Sequence, residues 1–455
     1  LEFVKMGFDL SERFGLPVML RTTMRLAHTK CVVELGSREE REPLPYRRDI
    51  PGWVVPVFAR RLRPLLQEKL ARLRDYAEDC PFNRIERGEH PGENRGEGSP
   101  VGVISSGVAY HYAREVLPDA DFLKLGLTFP LPERLIADFC RAHETVYVVE
   151  ETEPYLEEQI RAMGITNVVG KDRLPSAGEL SPELVEKAVT GSEPPADFSG
   201  EADVLPRPPA LCPGCPHRGV FYALKREKAL VTGDIGCYTL GCLPPLSALH
   251  TTFCMGAGIG NAFGFEVAGH EGVVAVIGDS TFIHAGIPSL VDVVYNRGKT
   301  TVVILDNHTT GMTGHQEHPG TGRTLQGAET ERVDYETLVR ALGVKFVKKV
   351  DPWDFRTTRA ALREAMAHPG PAVVIAERAC VLTASEKAKK RVPYVVVEDS
   401  CNGCGVCYQV GCPSVLEGEK PSVDPFSCAG CALCAQVCPR NAIVLADGGK
   451  GGTPK

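Results

Sequence analysis

The sequence predicts a multidomain α/β protein whose open, doubly wound parallel sheets are followed by a small cysteine-rich domain. Its 455 residues suggest about three domains, at roughly 150 residues each. Short apolar runs alternate with helix-like stretches through much of the chain, which is the pattern of parallel α/β sheets. Eight of the 17 cysteines lie between Cys401 and Cys438, so the C-terminal end has a separate character.

Composition and charge exclude several classes of protein. Hydrophobic residues make up 43% of the chain and charged residues 24%, which argues against disorder and fibrous structure. A net charge of −7 provides no positive field for nucleic acid, so none is expected as a partner. The apolar runs are strand-sized, and neither a membrane span nor a signal peptide is predicted. Thiols concentrated at one end of a long chain favour metal ligation in a reducing cytosol, and hence a cytoplasmic location.

Runs rich in proline, glycine and charge predict the domain boundaries. Linker-like runs lie at 88–100 and 193–209, and residues 448–455 are expected to be loose. An amphipathic stretch at 59–76 predicts a helix. Strands are predicted at 101–105, 121–125, 146–150, 273–277, 301–305 and 372–376. The predicted domains cover 1–87, 98–192, 210–385 and 393–447.

The tail contains two cysteine runs, each of which places three thiolates on a tight loop. The runs are Cys401-x2-Cys404-x2-Cys407-x4-Cys412-Pro and Cys428-x2-Cys431-x2-Cys434-x3-Cys438-Pro. Three thiolates suit three corners of a 4Fe-4S cubane, and the fourth ligand comes from the last cysteine of the other run. We therefore predict two clusters, one bound by Cys401, Cys404, Cys407 and Cys438 and the other by Cys428, Cys431, Cys434 and Cys412.

Zinc modules are the alternative, because they also use repeated Cys-x2-Cys pairs. They do not explain three evenly spaced cysteines followed by Cys-Pro, twice. One departure from the bacterial ferredoxin pattern is that four residues, instead of three, precede Cys412.

A second candidate site follows two apolar strands. The strand at 273–277 runs into Asp279, and the strand at 301–305 ends in Asp306 and Asn307. A βαβ crossover brings both ends to the same edge of a sheet, where ligand crevices form. Asp279, Asn307 and a main-chain carbonyl near Thr309 offer oxygen ligands for Mg²⁺, with the remaining positions suited to diphosphate oxygens. The alternative is an ordinary turn Asp and loop Asn. Asp306 ranks below Asn307 as a ligand.

Glycines recur every four residues between the two features. Gly256, Gly260 and Gly264 lack the spacing and the preceding strand of a dinucleotide fingerprint. The spacing instead predicts a helix whose small-residue face packs closely on another element.

Four cysteines outside the tail form a third candidate site. Cys212, Cys215, Cys237 and Cys380 could together bind another cubane. Alternatively, they are one redox or zinc-type Cys-x2-Cys pair and two ordinary buried cysteines. His217 and His315 are either polar site residues or capped loop histidines, and the sequence leaves both readings open.

Several motifs together resemble the alpha subunits of indolepyruvate ferredoxin oxidoreductases, a family of thiamine-diphosphate-dependent 2-oxoacid:ferredoxin oxidoreductases. They are Cys212-Pro-Gly-Cys-Pro-His-Arg218, Gly233-Asp-Ile-Gly-Cys-Tyr-Thr-Leu240, Gly278-Asp-Ser-Thr-Phe282, Ile304-Leu-Asp-Asn307, Met312-Thr-Gly-His-Gln316 and the two-cluster tail. The resemblance spans nearly the whole chain. It implies that 1–87 is the end of a pyrimidine-binding domain and its connection, and that 98–192 is similar to a transketolase C-terminal domain. It further implies that 210–385 binds thiamine diphosphate and that 393–447 is a ferredoxin-type domain.

The resemblance also implies a reaction. An aryl 2-oxo acid is oxidatively decarboxylated with coenzyme A, and electrons pass through the clusters to external ferredoxin. The implied cofactors are thiamine diphosphate, Mg²⁺ and two 4Fe-4S clusters, and the implied partner is a beta subunit. Residues that match the cofactor-binding positions are Asp279, Ser280, Asn307 and Thr309. Related enzymes hold a third cluster near the thiamine with cysteines placed like Cys212, Cys215, Cys237 and Cys380.

The resemblance leaves some features unassigned. Its activating glutamate is expected in an N-terminal part that this sequence lacks, so no catalytic residue is named. Two alternatives stay open. One is the same chemistry on another 2-oxo acid, such as pyruvate or a branched-chain acid. The other is a non-catalytic iron-sulfur electron-transfer subunit.

Overall fold

The computed structural model describes residues 1–38, 40, 49, 52–88, 99–191 and 208–447. The chain divides into two compact units, Leu1–Val204 and Leu205–Lys455. Most of the predicted linkers at 88–100 and 193–209, and all of 448–455, lie outside the described residues. Within the described ranges, no helix combines the length and the apolar character needed to cross a membrane.

The first unit is built on a five-stranded sheet with the order β1-β3-β2-β4-β5. Only β1 is antiparallel to its neighbour, and the other pairs are parallel. Its strands are β1 (Arg84–Glu86), β2 (Val101–Ser105), β3 (Asp121–Lys124), β4 (Thr145–Val149) and β5 (Val168–Val169). Its helices are α1 (Glu2–Phe14), α2 (Met24–His28), α3 (Pro56–Glu78), α4 (Val108–Val116), α5 (Glu133–Arg141), α6 (Tyr155–Ala162) and α7 (Pro182–Thr190). Apolar side chains of the central strands form two clusters, one on each face of the sheet.

The second unit contains a six-stranded sheet, with the order β10-β11-β9-β8-β6-β7, in which every pair is parallel. Its strands are β6 (Leu230–Gly233), β7 (Thr251–Thr252), β8 (Val273–Gly278), β9 (Thr301–Asp306), β10 (Phe346–Val350) and β11 (Ala372–Glu377). All residues of β8 and β9 are buried, because helices cover both faces of a parallel sheet. The prediction of a multidomain α/β protein with parallel sheets is therefore confirmed.

Helices and a small tail complete the second unit. The helices are α8 (His217–Glu227), α9 (Ala257–Val267), α10 (Asp279–Thr281), α11 (Ile287–Tyr295), α12 (Tyr335–Ala341), α13 (Phe355–Met366) and α14 (Ala384–Lys387). The tail has the strands β12 (Tyr394–Val396), β13 (Val415–Leu416), β14 (Ser422–Val423) and β15 (Ile443–Leu445), and one helix, α15 (Leu433–Val437). Two short antiparallel pairs, β12 with β15 and β13 with β14, close the tail on itself.

The glycine-rich stretch forms the predicted helix, but the prediction of its packed face holds only for Gly256, where an added methyl group would lie 2.6 Å from the Cβ of Ala285. Gly258 of α9 packs against the backbone of Gly233, which a methyl group would approach to 3.0 Å. Gly260 and Gly264 instead lie on the open side, with no heavy atom within 4 Å of an added methyl group. The spacing of four residues identified the helix correctly, whereas the close contact with the sheet depends on Gly258, which is out of that spacing.

Helix α8 makes a closer contact, and this gives a stability test. A methyl group on Gly219 would lie 1.9 Å from the carbonyl oxygen of Pro352, which is backbone and cannot swing away. We expect Gly219→Ala to destabilise the protein by about 1–3 kcal/mol or more. Gly260→Ala is the matched control, and we expect a gain of about 0.5–1 kcal/mol from helix propensity alone. Thermal unfolding midpoints of both variants measure this, and equal shifts of the two midpoints would contradict the packing argument.

Candidate cofactor and cluster sites

The parallel register of β8 and β9 places Asp279 beside Asn307. Gly278 pairs with Leu305, so each strand delivers its following polar residue to the same edge of the sheet. The main-chain N–H of Asn307 donates to Asp279 Oδ2 over 3.1 Å, and that of Ser280 donates to Asp279 Oδ1 over 2.8 Å. Thr309 lies next to them and, like the other three, is buried. All four residues predicted to bind the cofactor therefore occupy one small region.

The amide of Asn307 shows how this region suits a cation. One of its two terminal atoms lies 2.6 Å from the carbonyl oxygen of Thr309 and 3.2 Å from Asp279 Oδ2. With nitrogen in that position, the amide donates to both oxygens. With oxygen there, three oxygens from Asp279, Asn307 and Thr309 converge, and a divalent cation between them would remove their repulsion. The donor set is the all-oxygen set that Mg²⁺ prefers.

Two buried polar atoms near Asp279 have no hydrogen-bond partner among the described residues. They are His318 Nε2 and the hydroxyl oxygen of Tyr335. His318 Nδ1 accepts from the N–H of Gly320, so the proton belongs on Nε2, which lies 3.3 Å from Asp279 Oδ2 without the alignment of a hydrogen bond. Burial, then the negative charge of Asp279, raises the pKa of Tyr335, so the hydroxyl keeps its proton. Two unused donors beside a carboxylate fit phosphate oxygens or metal-bound water.

The helix that follows Asp279 is irregular at its start. After α10, residues Phe282–Gly286 form a π-helical turn that leads directly into α11. Such turns often occur at functional sites, because they redirect one turn of backbone without ending the helix. Here the turn begins immediately beyond Ser280 and Thr281.

The sequence analysis did not assign a role to Asp234 or His318. Asp234 follows β6 and is fully buried, where it accepts from the hydroxyl of Tyr238 and, over 2.8 Å, from the N–H of Gly256. Burial raises its pKa. Because Tyr238 is next to Cys237, Asp234 fixes the loop that carries this thiol. His318 is one of three histidines in or near the loop after β9, and nothing in its residue context separates it from His315.

His217 and His315 differ in their surroundings. His217, in the first turn of α8, is buried, and this burial lowers its pKa to about 4. It is therefore neutral at ordinary pH. His315 Nδ1 lies 3.5 Å from the Thr309 hydroxyl, at the limit of a hydrogen bond. Both histidines border the region around Asp279 and Thr309, as polar side chains of the site would.

The four scattered cysteines lie between the Asp279 region and the tail. The N–H of Cys380 donates to the Asn307 carbonyl over 2.9 Å, and a methyl group on Gly311 would lie 3.6 Å from Cys237 Sγ. Burial raises the pKa of Cys215 to about 12, and the charges of Cys212 and Cys380 add to the effect. Burial, then Cys380 and Cys212, raises the pKa of Cys237 in the same way. The structure therefore brings Cys212 and Cys380 into electrostatic range of each other and of both Cys215 and Cys237.

The tail cysteines surround two separate cavities. A cavity of about 10 Å³ is bordered by Cys401, Cys404, Cys407 and Cys438. A second, of about 20 Å³, is bordered by Cys412, Cys428, Cys431 and Cys434. These are the two groups of four that cross-ligation predicts, and Cys412 takes its place in the second group despite the longer spacing. Burial, then the charges of Cys412 and Cys428, raises the pKa of Cys431 to about 12.

The spacing of the cysteine sulfurs argues against a zinc site. In a tetrahedral zinc site the sulfurs lie about 3.8 Å apart, given Zn–S bonds of about 2.3 Å. Among the described residues, no three cysteine sulfurs lie within 4.8 Å of one another, which is wider than a single zinc ion requires.

One group of described side chains has ligand atoms close enough for a single ion, namely Asp306, His308 and Glu377. Arg332 already neutralises it, because its guanidinium lies 3.1 Å from Asp306 Oδ2 and 3.3 Å from Glu377 Oε1. Lys349 also pairs with Glu377. This group is an ion-pair network that joins the ends of β9 and β11.

Comparison with known proteins gives two family matches and several curated relatives. Residues 234–376 match the family described as thiamine pyrophosphate enzyme, C-terminal TPP binding domain, and residues 421–444 match the 4Fe-4S binding domain. The chain is 42% identical to the indolepyruvate oxidoreductase subunit IorA of Archaeoglobus fulgidus, over 97% of this chain and 74% of the relative. It is 39% identical to IorA of Thermococcus kodakarensis, over 97% and 75% respectively.

One solved structure among the matches is a 2-oxoglutarate:ferredoxin oxidoreductase from Magnetococcus marinus with 2-oxoglutarate, coenzyme A and succinyl-CoA bound. The match has 22% sequence identity and a TM-score of 0.35, and it covers 39% of this chain and 66% of the other protein. The two family matches make the chain a thiamine-diphosphate and iron-sulfur protein, and the extended identity to the curated relatives carries its classification. The chain belongs to the IorA family of indolepyruvate oxidoreductase subunits, among the 2-oxoacid:ferredoxin oxidoreductases.

Proposed function

We propose that the protein oxidatively decarboxylates an aryl 2-oxo acid of the indolepyruvate class, with coenzyme A as acyl acceptor and ferredoxin as electron acceptor. The observation that supports it most is that the Asp279 region, the four scattered cysteines and the second tail cavity lie next to one another within one compact unit. The Asp279 region touches the scattered cysteines through Cys380, and these cysteines lie against the second tail cavity through Gly214. The residues proposed to bind thiamine diphosphate therefore lie next to the cysteines proposed to carry electrons away.

Asp279, Asn307 and the Thr309 carbonyl would hold Mg²⁺, and the ion would hold the diphosphate. Ser280 lies in α10, and because its N–H already donates to Asp279 Oδ1, its hydroxyl is the group that would donate to a phosphate oxygen. The unpartnered His318 Nε2 and Tyr335 hydroxyl supply further donors. Bound thiamine diphosphate supplies the nucleophilic carbon that lets a 2-oxo acid lose carbon dioxide. The residues of this chain anchor and orient it, and they exclude water around its diphosphate.

The cysteine sets define a path for electrons. We infer a third cluster on Cys212, Cys215, Cys237 and Cys380, since Cys380 and Cys237 border the Asp279 region and Gly214, which lies between the other two cysteines, packs against Ala429 of the tail. The cluster of the 20 Å³ cavity comes next. The cluster held by Cys401, Cys404, Cys407 and Cys438 is last, and Cys404 is exposed there. An exposed ligand provides a surface exit to external ferredoxin.

The substrate and the partner subunit are inferred from the relatives. The relatives are named as subunits of indolepyruvate oxidoreductases, so we infer an arylpyruvate substrate and a beta subunit for this chain. Pyruvate or another 2-oxo acid is the competing substrate class.

Loss of the Asp279 charge should weaken cofactor binding. We expect Asp279→Asn to lower the Mg²⁺-dependent affinity for thiamine diphosphate at least tenfold, because the amide keeps the shape but not the negative charge that a cation requires. The control is Asp292→Asn, an exposed carboxylate on α11. Titration calorimetry with and without Mg²⁺ measures both variants, and unchanged affinity in Asp279→Asn would exclude the proposed ion site.

Iron content tests the number of clusters. After anaerobic purification we expect about twelve iron atoms per chain, since each cubane contributes four. Cys380→Ser and Cys412→Ser should each lose about four, whereas Cys254→Ser, an exposed thiol, should lose none. A wild-type value of about eight would restrict the clusters to the tail.

A substrate panel tests the reaction. With the holoenzyme, coenzyme A and ferredoxin, we expect kcat/KM for indolepyruvate and phenylpyruvate to exceed that for pyruvate and 2-oxoglutarate at least tenfold. A higher kcat/KM for pyruvate than for the arylpyruvates would contradict the proposed arylpyruvate substrate and indicate another 2-oxo acid. Full iron content without oxidation of any 2-oxo acid would favour the non-catalytic electron-transfer alternative.

A further inference from the structure

Arg218 is the largest of the fully buried side chains among the described residues. It lies in the first turn of α8, three residues after Cys215. Its guanidinium donates only to main-chain carbonyls, which belong to two different loops. Nε donates to Cys212 over 3.0 Å and Nη2 donates to Leu211, while Nη1 donates to Gly411 and, over 3.3 Å, to Val410. One side chain therefore connects the Cys212–Cys215 loop to the residues directly before Cys412.

The positive charge of Arg218 has no carboxylate partner in the described parts of the chain. Burial lowers the pKa of the guanidinium, but arginine stays protonated in proteins. An isolated buried charge is costly unless opposite charge lies nearby. The groups that act on it electrostatically are the sulfurs of Cys412, Cys215, Cys431 and Cys212, with Cys412 the strongest, and they would carry negative charge as cluster ligands. These four cysteines belong to two different proposed clusters.

The second tail cavity supports the same placement. Arg218 borders this cavity together with Gly214, and both come from the Cys212-to-Arg218 segment. Lys225, on the same helix, also reaches the tail, but its ammonium bonds to the exposed side chain of Gln409 and to Pro245 at the edge. Among the described cations, Arg218 is the one that donates to both cysteine loops from a fully buried position.

We propose that Arg218 is a positioning residue whose fixed charge raises the reduction potentials of both inner clusters. Because its guanidinium bonds to both cysteine loops, the charge would stabilise the reduced, more negative form of the cluster held by Cys412, Cys428, Cys431 and Cys434 and that of the cluster held by Cys212, Cys215, Cys237 and Cys380. In a transfer between the two clusters, the donor would be oxidised by one electron and the acceptor reduced by one, with no bond or proton exchanged. This proposal rests on the proposed function, since it requires these clusters.

The test removes the charge and keeps the helix. Arg218→Gln is compared with Arg218→Lys, which retains the charge, and with Arg226→Gln, which removes an exposed arginine from the same helix. Iron content and the reduction potential of each cluster are measured on the holoprotein by EPR-monitored redox titration. We expect Arg218→Gln to lower the equilibrium constant for reduction of each inner cluster at least tenfold, or about 59 mV in its reduction potential, and to leave the potential of the cluster of Cys401, Cys404, Cys407 and Cys438 unchanged. Arg218→Lys should keep most of the wild-type value, and Arg226→Gln all of it.

The possible outcomes distinguish a role of the Arg218 charge from a purely structural role and from the absence of the third cluster. Full iron with unchanged potentials in Arg218→Gln overturns the proposal. If Arg218→Gln loses iron while Arg218→Lys retains it, the charge is needed to assemble the clusters and not to set their potentials, and the proposal is overturned. Loss of iron in both variants overturns it, because the role is then the hydrogen-bonded scaffold. A wild-type protein with about eight iron atoms contradicts the proposed third cluster instead, which is a failure of the proposed function.

Discussion

The second unit depends on close contact between two cysteine-bearing loops that are far apart in sequence. Gly214 has a φ of +68°, and a methyl group on it would lie 2.4 Å from the Cβ of Ala429. Its carbonyl accepts from Trp353 Nε1 over 2.9 Å, and the Trp353 carbonyl accepts from Gln436 Nε2 over 2.7 Å. The tail is thus attached to the rest of the unit through a close glycine contact and through hydrogen bonds from side chains to main-chain carbonyls. Because electron tunnelling weakens steeply with distance, this contact is what makes a path between the proposed clusters physically reasonable.

Burial at this contact keeps the cysteine thiols protonated, whereas iron ligation requires thiolates. Cys215 and Cys431 are deeply buried, and the pKa of each is raised to about 12 by desolvation. Without metal they would be neutral thiols in an apolar core that includes Leu433 and Val410. Iron ligation requires thiolates, so metal binding has to supply the free energy of deprotonation in this core. One buried cation, Arg218, offsets part of the remaining negative charge.

The sequence predicted elements and ligand types better than it predicted contacts. The apolar runs identified β8, β9 and β11 to within one residue, because buried parallel strands need continuous apolar side chains. It also grouped the tail cysteines as the two cavities do, since the spacing restricts how a loop can meet a cubane. It did not reveal the bonds from Arg218 to Gly411, 193 residues away, which depend on how the tail packs. The wrong assignment of Gly260 has the same origin, because spacing along a helix does not tell which face meets the sheet.

Three carboxylates follow three adjacent strands of the second sheet, and their surroundings assign them different roles. Asp234, after β6, is satisfied by Tyr238 and the N–H of Gly256, so it supports the loop of Cys237. Asp306, at the end of β9, is neutralised by Arg332. Asp279, after β8, receives two main-chain N–H bonds, and no lysine or arginine of the described chain lies within ion-pair distance of it. It is the carboxylate of the three whose charge is left uncompensated by a cationic side chain or a hydroxyl. A divalent cation would therefore gain most at Asp279, which is also where the neighbouring strand presents the amide of Asn307.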